Sequence, residues 1–246
     1  MRIIGHRGAR GEAPENTLGG FRHLRRCGVL SVEFDIQVAS DGVLVVAHDP
    51  DLERCTDGHG RIRDHDQHSL AALDAVHRSH PAWPQREGIP SLDAVLSELA
   101  DFEHLQLEVK ARDRDEIDLV VAQLPALYAR HRLAGRGVCT SFNPVFLDAL
   151  RQAAPHLPRG LLFEDMADDV ALQLAEALAC VQIGPQERRC QAALLQRAHD
   201  RRLPVSTWTV NDPVRMRELA ALGVASIITD VPTLAESVDL APDASA

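Results

Sequence analysis

Residues 105–140, LQLEVKARDRDEIDLVVAQLPALYARHRLAGRGVCT, decide the fold of this chain. An apolar, strand-like run at 105–109 is followed by apolar residues at helical spacing, and a second strand-like run begins at Val138. The residues at helical spacing are Ile117, Val120, Val121, Leu124 and Leu127. A strand, a helix and a strand in this order form the βαβ unit of parallel sheets. The segment therefore predicts a parallel sheet covered by helices.

The same alternation continues on both sides of this unit. The strand-like runs are residues 3–4, 32–38, 105–109, 138–140, 161–163, 181–183, 205–210 and 226–229, and helical spacing recurs at 194–198 and 216–222. About eight βα units in roughly 250 residues are the size of a (β/α)8 TIM barrel. The sequence therefore predicts this α/β fold, as a single domain over residues 1–246. A doubly wound open sheet is the alternative, but no GxGxxG turn follows the first strand.

One segment, from about residue 50 to 90, breaks the alternation. It is rich in Asp, His, Gly and Arg and has little periodicity. We expect a small, lid-like insertion over the C-terminal mouth of the barrel after the second strand, solvated and partly ordered. Five histidines make a zinc site conceivable, but their spacing matches no structural zinc pattern. They are His59, His65, His68, His77 and His80.

The composition is that of an ordinary globular protein, with 45% hydrophobic and 25% charged residues. A formal net charge of −10 argues against a general nucleic-acid binder, which carries a basic stripe. Five cysteines without CxxC spacing, and an N-terminus without an apolar signal-peptide stretch, predict a cytoplasmic protein with reduced thiols. No run approaches transmembrane length, so we expect no stable membrane insertion. The oligomeric state is not predicted.

Three carboxylates fall at the C-terminal ends of predicted strands, where barrels of this kind have their active sites. Glu33 and Asp35 alternate onto one face of the second strand, and Glu108 lies on the third barrel strand. Each alone would more often form a salt bridge. Together, carboxylates from neighbouring strands suit one hard divalent cation, Mg²⁺ or Ca²⁺.

Two cationic side chains are predicted at the same rim. Lys110 is the only lysine, beside 25 arginines, and it projects with Glu108 because residues two apart in a strand point the same way. A compact ammonium suits a phosphate oxygen beside a metal, although compositional bias alone could leave one lysine. The first strand ends at His6-Arg7-Gly8, which adds a guanidinium and an imidazole.

Asp41-Gly42 predicts a two-residue hairpin turn after the second strand. In the resulting register Val38 pairs with Val45, and Asp35 lies opposite His48. A one-residue bulge would rotate His48 away. The site then holds two histidines, three carboxylates and two cations. Phosphoester cleavage needs such a set, because charge on the phosphate oxygens must be neutralised while one imidazole accepts a proton and the other donates one.

These residues belong to an ordered series of motifs that resembles the glycerophosphodiester phosphodiesterase family, relatives of the phosphatidylinositol-specific phospholipase C barrels. No single motif is specific, but their order over nearly the whole chain is. Pro14 to Thr17 also predicts a helix start, capped by Asn16 or Thr17. The series is His6-Arg7-Gly8, Pro14-Glu15-Asn16-Thr17, Glu33-Phe34-Asp35, Asp41-Gly42, His48-Asp49, Arg54-Cys55-Thr56-Asp57-Gly58, Ile89-Pro90-Ser91-Leu92, Glu108-Val109-Lys110, Ser141-Phe142, Thr207-Trp208-Thr209-Val210-Asn211 and Ile228-Thr229-Asp230-Val231-Pro232.

The resemblance implies a metal-dependent hydrolase that cleaves glycerophosphodiesters to sn-glycerol 3-phosphate and an alcohol. It implies attack of the glycerol 2-hydroxyl on phosphorus followed by opening of a cyclic phosphate, with direct attack by water as the alternative. Trp208 has a second interpretation as a core residue of the barrel rim. Carried over by position, the catalytic pair is His6 and His48, the metal ligands are Glu33, Asp35 and Glu108, Arg7 and Lys110 contact phosphate, and Trp208 and Phe142 shape the glycerol pocket.

Two other functions remain open. A lysophospholipase D-type hydrolase would need an apolar acyl channel, whereas aromatic residues make up only 4% of the chain and no basic amphipathic helix is evident. A catalytically inactive phosphate-binding barrel would lack a proton-transfer group or a ligand, and the sequence has the full set. Hydrolysis of glycerophosphocholine rather than lysophosphatidylcholine would argue against both.

Overall fold

Eight parallel strands follow one another round a barrel in the computed structural model, which describes residues 1–238. Their order round the sheet is β7-β6-β5-β4-β2-β1-β9-β8, and parallel bridges from Ile183 to Val205 and from Gln186 to Trp208 join its two ends. This arrangement confirms the predicted (β/α)8 barrel over a doubly wound open sheet. The strands are β1 (Arg2–His6), β2 (Ser31–Val38), β4 (His104–Val109), β5 (Gly137–Ser141), β6 (Arg159–Phe163), β7 (Gln182–Pro185), β8 (Ser206–Thr207) and β9 (Ser226–Thr229), with β3 (Leu44–Val46) paired antiparallel to β2.

A helix follows each barrel strand, and each helical connection before β9 returns the chain to the start of the next barrel strand. Most helices begin where a short polar side chain accepts a hydrogen bond from the first turn, as Thr17 does from the Gly20 N–H. Thr17, not Asn16, is therefore the cap of the first helix. The helices are α1 (Leu18–Arg26), α2 (Gln67–Ala72), α3 (Leu92–Glu98), α4 (Arg114–Arg130), α5 (Pro144–Ala153), α6 (Asp168–Ala177), α7 (Ala192–Asp200), α8 (Pro213–Ala221) and α9 (Pro232–Glu236), and α2 lies between β3 and α3.

The main core lies between the barrel and its helices, and β2 shows how it is separated from the polar interior. Every residue of β2 is buried. Phe34 and Ile36 belong to the apolar core, and the Phe34 ring packs edge-on against Phe21 of α1 at 5.9 Å. Because side chains alternate along a strand, Glu33 and Asp35 point to the opposite face, into the barrel.

The predicted strand at 205–210 is shorter than expected. β8 covers only Ser206–Thr207, although Val205 forms a single parallel bridge to Ile183 of β7 and Trp208 forms one to Gln186, the residue after β7. Val210 is still buried, and its N–H donates to the Ile228 carbonyl of β9. An apolar run thus marked the right place in the barrel but could not show where regular pairing stops.

The segment between β3 and α3 has a small apolar cluster of its own. Leu52, Ile62, Leu70 and Ile89 are almost fully buried there, beside Val45 of β3. It is therefore better packed than the solvated segment that its composition suggested, and its role as a lid stays a prediction. None of its five histidines belongs to a group of three potential metal ligands within the described residues.

No helix in the described part of the chain is both long and apolar enough to cross a membrane.

Candidate active site

Three carboxylates from two adjacent strands meet inside the C-terminal end of the barrel. β2 and β4 pair in parallel, and their register sets Asp35 beside Glu108. Glu33 lies two residues before Asp35 and so shares its face. One oxygen from each of the three side chains lies within 4.8 Å of the others. Glu33, Asp35 and Glu108 are 3%, 1% and 8% exposed, so this negative charge is withdrawn from water.

The surroundings of this cluster shift the pKa values of its three carboxyl groups in different directions. Burial, followed by repulsion from Asp35, raises the pKa of Glu33 well above its usual value and that of Glu108 to about 7. Burial acts on Asp35 in the same direction, but Lys110 and Arg7 outweigh it and hold its pKa at about 2. Arg7 and Lys110 therefore favour the ionised form of Asp35, whereas ionised Glu33 and Glu108 need further positive charge nearby.

A hard divalent cation fits this donor set. Glu33 Oε1 and Asp35 Oδ1 are buried without a hydrogen bond of regular geometry within the described residues, although Lys110 Nζ lies 3.1 Å from Asp35 Oδ1. Buried carboxylate oxygens are rarely left unbonded unless another partner is expected. Oxygen ligands alone favour Mg²⁺ or Ca²⁺ over softer metals.

Arg7 and Lys110 lie on either side of Asp35. The Arg7 N–H donates to Glu33 Oε2 at 3.1 Å, while its guanidinium Nε lies 3.3 Å from Asp35 Oδ2. Arg7, directly after β1, has a positive φ of 49°, a conformation uncommon outside glycine. The Lys110 ammonium contacts Asp35 and Glu108.

Each predicted catalytic histidine has a carboxylate behind its Nδ1. His6 Nδ1 lies 2.6 Å from Asp230 Oδ1, and His48 Nδ1 lies 2.6 Å from Asp49 Oδ1. In a neutral ring whose Nδ1–H donates to a carboxylate, Nε2 is the proton acceptor. His6 Nε2 faces Glu33 at 3.9 Å. Burial lowers the pKa of both histidines, against the opposing effect of these carboxylates.

Further polar contacts hold the two carboxylates that support the histidines. Asn211 Nδ2 donates to Asp230 Oδ2 at 2.8 Å, and Asn211 Oδ1 accepts from the Asp230 N–H at 2.9 Å. Asp49 contacts Arg54, whose guanidinium also donates two hydrogen bonds to Glu15. Both imidazoles are thus fixed by groups outside the predicted site.

The predicted register of the β2–β3 hairpin is wrong by one residue. Val38 pairs with Leu44 rather than with Val45, and the Ala39 N–H donates to the Val43 carbonyl. The loop therefore has three residues, 40–42, and its last one, Gly42, has a φ of 78°. A three-residue loop with a left-handed final residue is the common G1-bulge hairpin, which the Asp-Gly pair alone did not distinguish from a two-residue turn.

His48 reaches the site by a different route from the one predicted. The β3 ladder ends at Val46, and the Gln37 carboxamide nitrogen then lies 3.0, 3.0 and 2.5 Å from the carbonyl oxygens of Ala47, His48 and Asp49. Gln37 belongs to the same inward face of β2 as Glu33 and Asp35. The Ala47 N–H still donates to the Asp35 carbonyl at 3.0 Å, so this pairing and the Gln37 side chain together hold the segment that carries His48.

A cavity of 350 Å³ brings the predicted site residues together. Phe142 and Trp208 form part of its wall, with their rings edge-to-face at 5.4 Å, and the Trp208 Nε1–H donates to the Gly184 carbonyl at 2.9 Å. Asp35 is too deeply buried to reach the cavity surface. The other predicted residues in the lining are His6, Arg7, Glu33, His48, Glu108, Lys110, Phe142 and Trp208.

Sequence reasoning missed several residues that orient the site. Asp230 follows β9 directly, so the strand-end argument that found Glu108 could have found it. Asn16 was considered only as a helix cap, but its side chain donates to Asp35 Oδ2 at 2.9 Å. Asp49 is adjacent to His48 in the chain, and no spacing rule marks it. Gln37 could have been flagged as a third polar residue alternating on β2.

Comparisons with known proteins converge on one family. Residues 6–234 match the model of the glycerophosphoryl diester phosphodiesterase family. A glycerophosphodiester phosphodiesterase of Bacillus subtilis is 28% identical over 96% of this chain and 85% of its own length. An Oleispira antarctica phosphodiesterase, solved in complex with the product sn-glycerol-3-phosphate, superimposes with a TM-score of 0.90 at 25% identity, over 97% of this chain and 96% of that one. A glycerophosphodiester phosphodiesterase from Agrobacterium tumefaciens gives a TM-score of 0.84 at 25% identity, over 97% and 100%.

Proposed function

Because this chain belongs to the glycerophosphodiester phosphodiesterase family and is a hydrolase of glycerophosphodiesters, we propose that it acts with one divalent cation and two histidines. The products would be sn-glycerol 3-phosphate and an alcohol, the former being the product named in the Oleispira complex. The observation that carries the proposal is the convergence of two carboxylate-backed imidazoles on the cavity lined by Glu33 and Glu108, with Asp35 buried directly beside them.

Glu33, Asp35 and Glu108 would hold the cation. When bound, Mg²⁺ or Ca²⁺ would supply positive charge that stabilises the phosphate oxygens as negative charge develops on them. Arg7 and Lys110 would contact the same phosphate. Because both already neutralise Asp35, they are held in place before substrate arrives, which reduces the reorganisation needed in the transition state.

His6 and His48 would transfer the protons. An imidazole whose Nδ1–H is held by Asp230 or Asp49 presents Nε2 to the substrate, and it can take a proton from the attacking hydroxyl. The other imidazole, in its protonated form, would donate to the leaving alkoxide. If the glycerol 2-hydroxyl attacks first, the two exchange roles when water opens the cyclic phosphate.

Phe142 and Trp208 would form the wall against which the glycerol carbons pack. Trp208 is fixed by its hydrogen bond to Gly184, whereas Phe142 is 41% exposed. That exposed ring is also the observation that favours a second candidate, a lysophospholipid substrate whose acyl chain would leave past Phe142. Comparing the hydrolysis of glycerophosphocholine and lysophosphatidylcholine separates the two, and a strong preference for the lipid would replace our choice.

The central test is an assay of sn-glycerol 3-phosphate release from glycerophosphocholine, with chelator and with added Mg²⁺ or Ca²⁺. We expect no turnover in chelator and its return with one of the two cations. His6→Asn and His48→Ala should each lose about 10²- to 10⁴-fold in kcat. His68→Ala, in the exposed part of the 47–91 segment, is the matched control and should be unaffected. Unchanged turnover in chelator, or in both site variants, would reject this mechanism.

We also propose that residues 1–246 form one domain and that the protein is cytoplasmic. The five cysteines are all free, as expected for a reducing compartment. Limited proteolysis and cell fractionation test the two statements, and an early stable fragment or an extracytoplasmic signal would overturn them.

A further inference from the structure

A second group of potential metal ligands lies on the outside of the barrel, at the end of α1. His23 is in the last turn of α1 and Cys27 is its C-cap, so both point to one side of the helix. Glu12, from the loop between β1 and α1, meets them there. None of these three residues lines the cavity of the candidate active site.

The two donor distances from His23 are close to those of a tetrahedral zinc site. His23 Nε2 lies 3.2 Å from Glu12 Oε2 and 3.5 Å from Cys27 Sγ, and all three atoms are within 4.8 Å of one another. From the usual Zn–N, Zn–O and Zn–S bond lengths, tetrahedral geometry requires about 3.4 Å between N and O and about 3.6 Å between N and S. His23 is therefore within ligand geometry of both Glu12 and Cys27, and those two need only approach each other from within 4.8 Å to share one ion with it.

The carboxylate of Glu12 also has no arginine or lysine partner within the described residues. Other half-buried carboxylates pair with arginine, as Glu98 does with Arg25. Among the ion pairs of the described residues, the only partner of Glu12 is His23. When bound to a metal, the three side chains would be a thiolate, a carboxylate and a neutral imidazole, and one divalent ion would balance their two negative charges.

The neighbours of the group hold its side chains in place. The Thr233 N–H and hydroxyl of α9 donate to the Glu12 carboxylate at 3.0 and 2.7 Å. The Trp83 ring packs edge-on against the His23 imidazole at 6.2 Å. Such surrounding contacts, which fix the orientation of ligands, commonly accompany metal sites.

We propose that Glu12, His23 and Cys27 bind a borderline-soft transition-metal ion, Zn²⁺ in the first instance, with solvent in the fourth position. The thiolate and imidazole separate this site chemically from the oxygen-only cluster at Glu33, which suits Mg²⁺ or Ca²⁺. The bound ion joins α1 to the loop that carries Arg7, and through Thr233 it also joins them to α9. We assign it a role in stability rather than in catalysis, because none of its three ligands lines the cavity of the candidate active site.

Titration with Co²⁺ in excess Mg²⁺ tests the site through a signal that only a thiolate ligand produces. We expect a near-ultraviolet sulfur-to-cobalt charge-transfer band that saturates at one equivalent. Cys55→Ser, which removes another half-buried thiol, is the matched control and should keep the band. Cys27→Ser should lose the band, and His23→Gln should bind at least about 10-fold more weakly.

Thermal unfolding with Zn²⁺ gives a second readout that does not depend on activity. At 100 times the dissociation constant, Zn²⁺ should raise the Tm of the unsubstituted protein by about 5 to 10 °C. The rise should disappear in Cys27→Ser and persist in Cys55→Ser. No band in the unsubstituted protein, a band that survives Cys27→Ser, or an equal Tm rise in that variant would each overturn the proposal. All of these outcomes are independent of whether the acidic cluster is catalytic.

Discussion

Replacing Asp230 with asparagine should disable His6 without removing a metal ligand or a group that contacts substrate. The carboxylate of Asp230 has two hydrogen-bond partners, His6 Nδ1 at 2.6 Å and Asn211 Nδ2 at 2.8 Å, while Arg10 Nε lies farther away, 3.7 Å from Oδ1. An amide has only one oxygen, and the Asn211 N–H must keep an acceptor. The introduced NH₂ group therefore faces His6 and forces its Nδ1 to become the acceptor, which moves the ring proton to Nε2.

The size of the effect follows from the role of that proton. With a hydrogen on Nε2, the neutral His6 cannot accept a proton from the attacking hydroxyl. General acid–base catalysis contributes about 10²- to 10⁴-fold, so we expect kcat/KM for Asp230→Asn to fall by this factor, or about 2.7 to 5.5 kcal/mol. The affinity for Mg²⁺ or Ca²⁺ should change little, because Glu33, Asp35 and Glu108 are untouched.

The assay is initial-rate release of sn-glycerol 3-phosphate from glycerophosphocholine at saturating metal, with metal affinity measured separately by calorimetry. Asp165→Asn, at an exposed position after β6, is the matched control and should match the unsubstituted protein. A decrease of less than about threefold in Asp230→Asn, with normal metal affinity, would show that Asp230 does not control His6. A loss of metal affinity would instead place Asp230 among the groups that organise the acidic cluster.

Three further changes test other parts of the structure. Glu108→Gln should weaken metal binding first, so that high Mg²⁺ or Ca²⁺ restores part of its activity, and a loss of turnover at normal metal affinity would contradict its role as a ligand. Lys110→Arg keeps the charge but replaces a compact ammonium held against Asp35, so kcat/KM should fall about 10-fold or more, and equal rates would show that only charge matters. Burial lowers the pKa of His104 to about 4, whereas its value in the unfolded chain is about 6.5. Between these two pH values the unfolded chain binds more protons than the folded one. The free energy of unfolding therefore decreases as the pH falls from about 6.5 to 4. His104→Gln should remove up to about 3 kcal/mol of that loss in urea titrations at the two pH values, and an unchanged difference would reject the assignment.

The fold was predictable because the apolar pattern of each βα unit is local. Val138 indicates a strand and Ile117 a helix, whatever the rest of the chain does. The inward direction of the carboxylates at the strand ends follows from the alternation of side chains along a strand. The hairpin register was not predictable in this way. Two-residue and three-residue loops share the Asp41-Gly42 pair, and the choice depends on the conformation of Gly42. The prediction still placed His48 near Asp35, but from a register that is wrong by one residue, since Ala47 rather than His48 pairs with Asp35.

The supporting residues escaped prediction for a different reason. Asp230 and His6 are 224 residues apart in the chain, and only closure of the barrel between β9 and β1 brings them together. The contact of Asn16 with Asp35 was not predicted, because a polar residue before a helix is already explained as a helix cap. Contacts between distant segments become visible only when the neighbours in space are known.

Two parts of the candidate active site depend on the inward face of β2. Glu33 and Asp35 contribute to the acidic cluster, and Gln37, next in the same alternation, braces the loop that carries His48. A shift of β2 by one residue against β1 and β4 would turn Glu33, Asp35 and Gln37 out of the barrel interior together and turn apolar side chains into it. Loosening the pairing of β2 should therefore abolish cation binding and proton transfer together, because both depend on this one strand.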